Sequence, residues 1–463
     1  MKKAKKKEKK GKKEKAPKHK GKAKKTNGKD PYAAIQHHQE AFPLDLKQMD
    51  LTTVAIHGDE GAENVHDVAP PLHVATTFLE GDPGGMVYSR ADQPTRKRLE
   101  QLLGVMCGGT AVTYASGLAA TTALLNSFQP TTVVQFGVGY KGTRDVLRRY
   151  VELRGKEQAR LVTVDVSEAG STLTVEELKE MGVGQSHRDM VFTESPTNPC
   201  CHLVDVEALA SAVHQLNAIL VVDSTFATPY LQNPTELGAD ITLHSCTKFL
   251  GGHSDLLCGV AICKELPHAL KLWSERTSSG AVPGSLESWL LLRSLRTFPL
   301  RLRQQSESAE RVARWLADER QKDKIACVHN PCLPSHPSHQ LWLRTFCPRK
   351  ASASSSTKEN GERRKENGEE EERISVARAP PSFAFELRTA EQAKALLSSE
   401  GGAGLQLFAR CTSLGGVESS LDWRHRFDQQ MPPTLVRVSI GLEHPDDLIA
   451  ALDQALEKLP SSS

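Results

Sequence analysis

The sequence predicts an α/β fold: a mostly parallel seven-stranded sheet followed by a smaller C-terminal α+β domain. Two observations carry this. Seven short apolar runs, at 111–114, 132–136, 160–166, 190–193, 218–222, 241–243 and 259–263, recur with helix-length intervals between them. Continuous runs of that length read as parallel strands covered on both faces by crossover helices. From about Ser285 the pattern turns helical, breaks at Pro299, and closes on a strand at 434–440 and a helix at 445–459. In such sheets ligands sit at the carboxyl ends of the strands, so the residues just after each run are where chemistry is sought.

Taken in order, the first run passes through Ser116-Gly117 into an Ala-rich helix of about 117–127. The free N–H groups and dipole at such a helix start suit a phosphate, although Ser-Gly before a helix is more often a simple cap. The fifth run ends in Asp223, followed by Ser224 and Thr225. A carboxylate there is costly without a partner, and a protonated pyridine nitrogen would be a fitting one. The sixth run leads into His244-Ser245-Cys246-Thr247-Lys248, with Gly251-Gly252 just beyond. A lone lysine after a strand is usually solvated. Flanked by two hydroxyls and a Gly-Gly turn, it has the surroundings of a Schiff-base lysine beside a phosphate. On the last strand Arg437 and Ser439 alternate with Val436, Val438 and Ile440, and an arginine fork there suits a carboxylate. The last helix has Pro445 in its first turn, Asp446 and Asp447 behind it, and Leu448, Leu452, Leu456 and Leu459 along one face.

Charge divides the 463-residue chain into unlike parts. The net +3 averages residues 1–30, where 16 Lys face three acids (+13), with residues 31–463, where 43 basic side chains face 53 acidic ones (−10). That excludes a uniformly basic nucleic-acid-binding domain. With 38% apolar residues and no apolar run near the roughly 18 residues a membrane span requires, no membrane association is expected. Ten cysteines without a Cys-x-x-Cys or zinc spacing read as reduced thiols, and no metal is expected. The first thirty residues carry neither a signal-peptide apolar stretch nor an Arg- and Ser-bearing amphipathic helix, so a cytoplasmic protein is expected. The Lys-rich tail is expected to be disordered and to make weak nucleic-acid contact. Clusters such as Lys5-Lys6-Lys7 resemble nuclear-import signals, which adds a nuclear fraction. Residues 350–375 read as a second low-complexity insertion.

Eight ordered motifs now define a resemblance. They are Tyr88-Ser89-Arg90, Ser116-Gly117-Leu118-Ala119-Ala120, Tyr140-Lys141-Gly142-Thr143, Glu194-Ser195-Pro196-Thr197-Asn198-Pro199, the Asp223 and Lys248 segments, Ser413-Leu414-Gly415-Gly416-Val417-Glu418-Ser419, and Leu435 to Glu443. Together, over roughly residues 51–345 and 380–459, they resemble the pyridoxal-phosphate enzymes of the trans-sulfuration family, which include cystathionine γ-synthase, the cystathionine lyases, methionine γ-lyase and the O-acylhomoserine sulfhydrylases. The resemblance implies fold-type I architecture and pyridoxal 5'-phosphate as cofactor. It also implies four regions: the tail 1–30, an arm 31–92 contacting a partner subunit, a large cofactor-binding domain 93–293, and a small domain 294–463.

The resemblance further implies residue roles. Lys248 would hold the cofactor as a Schiff base and shuttle protons. The N–H groups of Gly117 and Leu118 and the hydroxyls of Ser245 and Thr247 would cradle its phosphate. Asp223 would pair with the ring nitrogen, Thr225 would lie close to the ring, and Tyr140 would stack on it and act as a phenolate base. Asn198 would hold the ring oxygen or the substrate carboxylate, with Ser413 and Arg437 binding substrate. Tyr88 and Arg90 would reach the phosphate of a neighbouring subunit, so a homodimer at least, and a homotetramer, is implied.

Several positions depart from the family pattern. Lys141, Ser224 and Gln93 stand where many members have Gly, Asn and Asn. Thr412 stands where many γ-acting members have Glu, and Ser420 to Arg426 replaces a His-Pro then Met-Thr-His pattern. Because one carbanion can lead to elimination or replacement, these departures bear on reaction choice. The expected activity is γ-replacement on an O-acylhomoserine by cysteine, as in cystathionine γ-synthase. Cystathionine γ- or β-lyase and sulfhydrylase activities are the alternatives. From a different class, a non-catalytic scaffold working through its polybasic tail is the competing expectation.

Overall fold

The computed structural model describes Leu46 and residues 49–59, 67–82, 85–137, 139–166, 171–186, 188–346, 378–397 and 405–460. The Lys-rich tail and the 350–375 insertion lie outside the described residues. All seven apolar runs form strands of one sheet: β1 (Thr110–Tyr114), β2 (Thr132–Phe136), β3 (Arg160–Val164), β4 (Met190–Glu194), β5 (Ile219–Asp223), β6 (Ile241–Ser245) and β7 (Gly259–Cys263). Their spatial order is β1-β7-β6-β5-β4-β2-β3. The sheet is mostly parallel, as expected: the β2–β3, β2–β4, β4–β5 and β5–β6 pairs are parallel, and β7 alone runs antiparallel to its neighbours, β1 and β6. Residues 246–258, which join β6 to β7, contain no helix. Without a crossover the chain turns back antiparallel, and that return holds the Lys248 loop against the end of β6.

Alternation along the strands explains why their runs are continuous. Val133, Phe192 and Val221 pack on one face with Leu124 and Leu147, which lie on the helices Gly117–Phe128 and Lys141–Arg154. Val134, Val191 and Leu220 pack on the other face with Leu178 and Leu209 of the helices Val175–Glu180 and Val206–Gln215. Each such fully buried side chain contributes about 1.5–3 kcal/mol.

The C-terminal region forms a second sheet, of five strands: β8 (Ile325–His329), β9 (Ser382–Leu387), β10 (Ala409–Arg410), β11 (Ser420–Trp423) and β12 (Leu435–Ser439), in the order β10-β11-β12-β9-β8. Only β12 was expected. A bulge between Ile325 and Cys327 breaks the alternation of β8, β10 and β11 are very short, and β9 follows closely on the low-complexity insertion. The break expected at Pro299 is the first turn of the helix Phe298–Leu316. The last helix, Pro445–Glu457, buries Leu448, Leu452 and Leu456 and ends two residues short of the expected 459. One apolar cluster joins Val260 and Ile262 of β7 to Phe383, Phe385, Val436 and Val438 of the second sheet, so the two sheets share a core.

Candidate active site

The carboxyl ends of β4, β5 and β6 and the second sheet enclose a cavity of about 560 Å³. Gly117, Leu118, Tyr140, Asn198, Asp223, Thr225, Ser245, Thr247, Lys248, Ser413 and Arg437 all line it. Tyr88 and Arg90 do not. The Arg90 guanidinium lies over the Tyr88 ring at 5.7 Å and donates to Thr277 O at 2.7 Å, and Tyr88 is exposed. Their surroundings, Val74, Leu79 and Val87, are also largely exposed.

At one end of the cavity, Ser116 caps the helix Gly117–Phe128 by accepting from Ala119 N–H at 3.1 Å. The first helical backbone bond there is Ala120 N–H to Ser116 O, so the Gly117 and Leu118 N–H groups precede the intrahelical ladder. Gly117 allows close approach to β6, since a Cβ would lie 3.3 Å from that of Ser245. The Ser245 N–H donates to Thr225 Oγ1 at 2.9 Å, and Thr247 Oγ1 accepts from Cys258 N–H at 3.1 Å. Backbone donors at a helix start with two hydroxyls beside them form an anion cradle.

In the middle stands Lys248, whose Nζ donates to Ser413 Oγ at 3.1 Å. Burial, then the nearby Arg437 charge, lower its pKa to about 8. About a tenth of it is then neutral at pH 7, far more than for an ordinary lysine, which makes it a competent nucleophile and proton acceptor.

Deeper, Asp223 Oδ1 accepts from the Thr225 N–H at 3.0 Å and hydroxyl at 2.6 Å. Burial raises the Asp223 pKa, and the Thr225 hydrogen bonds oppose that rise. Sequence reasoning singled out Asp223 but not Glu194, which is its register partner on β4. Glu194 Oε2 accepts from Tyr140 N–H at 2.9 Å and from Asn198 N–H at 3.4 Å. Burial and then the Asp223 charge push Glu194 up to about 8, against those hydrogen bonds. Its position as the last residue of a strand was the signal available.

The opposite wall carries Arg437 on β12. Its Nη1 donates to Asn198 Oδ1 at 3.4 Å, and its Nη2 donates to Thr412 O at 2.6 Å, Ser413 O at 3.3 Å and Asp422 Oδ2 at 3.1 Å. Burial, then Arg424, lower its pKa to about 10. Asp422, opposite Arg437 in register on β11, also accepts from Arg424 Nη1 at 2.8 Å. Asp422 on β11 and Arg424 in the single 3-10 turn after it fall in the 420–426 segment quoted above but were given no role, because the expected helical stretch hid the short strand.

These residues fit pyridoxal phosphate. Among the described residues no cationic side chain pairs with Asp223, whose carboxylate a protonated ring nitrogen would complement. The anion cradle and the lysine of lowered pKa lie in the same cavity.

The comparisons agree with that fit. The pattern of the Cys/Met metabolism PLP-dependent enzymes matches residues 52–378. The chain is 31% identical to a cystathionine gamma-lyase of Dictyostelium discoideum, over 88% of this chain and 98% of that one. Its fold is similar to the crystal structure of cystathionine gamma-lyase from yeast, at TM-score 0.72 and 28% identity, covering 89% of this chain and 98% of the other. It is also similar to cystathionine gamma synthase from Xanthomonas oryzae pv. oryzae in complex with cystathionine, at TM-score 0.73 and 26% identity with the same coverage. The molecule is a fold-type I pyridoxal-phosphate enzyme. The chain belongs to the Cys/Met metabolism family, which acts on sulfur amino acids. Among the described residues no helix is long and apolar enough to cross a membrane.

Proposed function

We propose that the chain cleaves the γ-carbon–sulfur bond of cystathionine. The observation that carries this reading is one cavity holding both a partly neutral lysine at 3.1 Å from Ser413 and a buried arginine on the facing strand. The sequence alone placed γ-replacement first; similarity to proteins named cystathionine gamma-lyase supports elimination instead. Similarity to a synthase structure bound to cystathionine keeps γ-replacement as the second reading.

When bound, pyridoxal phosphate supplies an electron sink that acidifies the substrate Cα–H. Lys248 would hold the cofactor's aldehyde carbon, then take and return protons at Nζ, with Ser413 Oγ setting its direction. The Gly117 and Leu118 N–H groups with Ser245 and Thr247 would bind the phosphate. Asp223, fixed by Thr225, would keep the ring nitrogen protonated. Tyr140, 43% exposed at the cavity mouth, would cover the ring and accept a proton from the incoming amine. Arg437, steered by Asn198 and Asp422, would bind the substrate α-carboxylate. We infer a dimer at least, with Tyr88 and Arg90 serving the neighbouring subunit's phosphate.

A product assay tests the reading, offering cystathionine, an O-acylhomoserine with cysteine, and methionine in parallel. Release of cysteine with 2-oxobutyrate and ammonia from cystathionine, absent in Lys248→Ala, is the expected result, whereas homocysteine with pyruvate would move the cleavage to the β-carbon. Thiol consumption with the O-acylhomoserine and none released from cystathionine would overturn cleavage in favour of replacement.

A further inference from the structure

Outside the cavity, one cluster of titratable side chains has no task in the mechanism. Cys327 and His329 stand two residues apart on β8, on one face of the strand. The bulge after Ile325 places Cys327 opposite Glu386 of β9, and re-aiming a side chain is what bulges do. His329 Nε2 lies 2.9 Å from Glu386 Oε1, and Glu386 Oε2 accepts from Thr434 Oγ1 at 2.8 Å. Glu386 is therefore fixed and in turn fixes the imidazole, beside which Cys327 stands on the same face of β8 and opposite Glu386 itself. Cys327 is exposed.

We propose that Cys327 is an oxidation site, a solvent-facing thiol that His329 and Glu386 activate toward hydrogen peroxide or another small hydroperoxide. The arrangement nucleophile, imidazole, orienting carboxylate is one that generates thiolates. The neighbouring His329 imidazole holds the Cys327 thiol below its usual range, against the burial that would raise it. Burial disfavours protonation of His329, but its interactions with Cys327 and Glu386 raise it to about 9; this shift and the lowering of the Cys327 thiol both favour the thiolate–imidazolium form. Burial does the reverse elsewhere, pushing Cys200 and Cys332 up to about 12. In the reaction the Cys327 sulfur attacks one peroxide oxygen and the O–O bond breaks. The imidazolium then gives its proton to the departing hydroxide. The sulfur loses two electrons and becomes a sulfenic acid, and the peroxide is reduced to water.

The site also has a line to the cavity. His329 is opposite Ala384, and Ala384 is opposite Arg437, so His329 and Arg437 project from the same face of the second sheet, two strands or about 10 Å apart. This activation does not depend on the cofactor or on which sulfur amino acid is the substrate.

The experiment uses the full-length holoenzyme, exposed at pH 7 to limiting hydrogen peroxide in the presence of dimedone and mapped by tandem mass spectrometry. Cys411, also exposed, is the internal comparator. Cys327 should carry at least about tenfold more adduct than Cys411, and His329→Gln should remove about tenfold of that labelling. Alkylation of the wild-type protein by iodoacetamide across pH 5–10 needs no variant, and Cys327 should show the lower midpoint. Equal labelling of the two cysteines, coincident midpoints, or a Cys327 rate unchanged in His329→Gln would each overturn the proposal.

Discussion

The two walls of the cavity handle charge in opposite ways. On the large-sheet wall burial drives each group toward its neutral form: Lys248 falls to about 8, Glu194 rises to about 8, and Asp223 also rises. On the second-sheet wall the charges persist because they are paired, with Asp422 accepting from both Arg424 and Arg437. Groups near their titration point can exchange protons, whereas paired guanidinium and carboxylate groups hold position and potential. One wall is built to move protons and the other to fix a carboxylate.

The comparison breaks most sharply at Lys248. Lys248→Ala should lower kcat by at least about 10³-fold, because the proton shuttle and the covalent anchor disappear together. Its visible absorption should become insensitive to borohydride, while melting temperature changes little. Substantial turnover in that variant would move the proton shuttle to another residue.

On the opposite wall the largest effect should fall on stability. Asp422→Ala leaves two guanidiniums, each more than nine-tenths buried, with no carboxylate between them. Removing one member of a buried ionic network typically costs about 3–5 kcal/mol. A denaturant titration should show that loss, whereas Asp223→Asn should leave the midpoint nearly unchanged and depress kcat. If Asp422→Ala is as stable as wild type, that wall is not held by charge pairing.

Legibility in the sequence follows the same division. Strands β1 to β7 are buried on both faces, so their runs are continuous, and the chemistry at their ends stood out at Asp223 and Lys248. The reversed direction of β7 was not legible, because pattern alone does not report strand polarity. Second-sheet strands are short or bulged, so Arg437 was given its role on β12 while Asp422 on β11 and Arg424 just after it, within a segment noted only for its departure from the family pattern, were not. Glu194 was within a quoted motif but went unassigned, since its significance depends on Asp223 lying beside it across β4 and β5.

A smaller effect, confined to binding, is expected from Arg437→Lys. A lysine keeps the charge and loses the fork that Asn198 and Asp422 orient, so KM should rise about 100-fold, or about 2.7 kcal/mol. A change of less than about tenfold in kcat would fit a wall that positions substrate without moving protons. A fall in kcat with KM unchanged would place Arg437 among the groups acting in the transition state.

The smallest effect, and the one that most directly sharpens the contrast, concerns Glu194. Its carboxyl titrates at about 8 in the fold against an ordinary value of 4.5, raised by burial and by Asp223. Between those pH values the native state binds the proton and the unfolded chain has lost it, so stability falls as pH rises. The slope is at most about 1.4 kcal/mol per pH unit. Neighbouring carboxylates that repel one another titrate as a pair, so the measured curve belongs to Glu194 and Asp223 jointly. Glu194→Gln keeps an oxygen to accept the Tyr140 and Asn198 N–H groups and removes the titration. Denaturation midpoints of the cofactor-free protein, taken at one protein concentration from pH 5 to 8, should decline in wild type and flatten in the variant. Cofactor binding should flatten the wild-type curve too, because a protonated ring nitrogen facing Asp223 relieves the repulsion that raises Glu194. A wild-type decline that survives Glu194→Gln would transfer the titration to another buried group and remove the proton-exchanging character assigned to this wall.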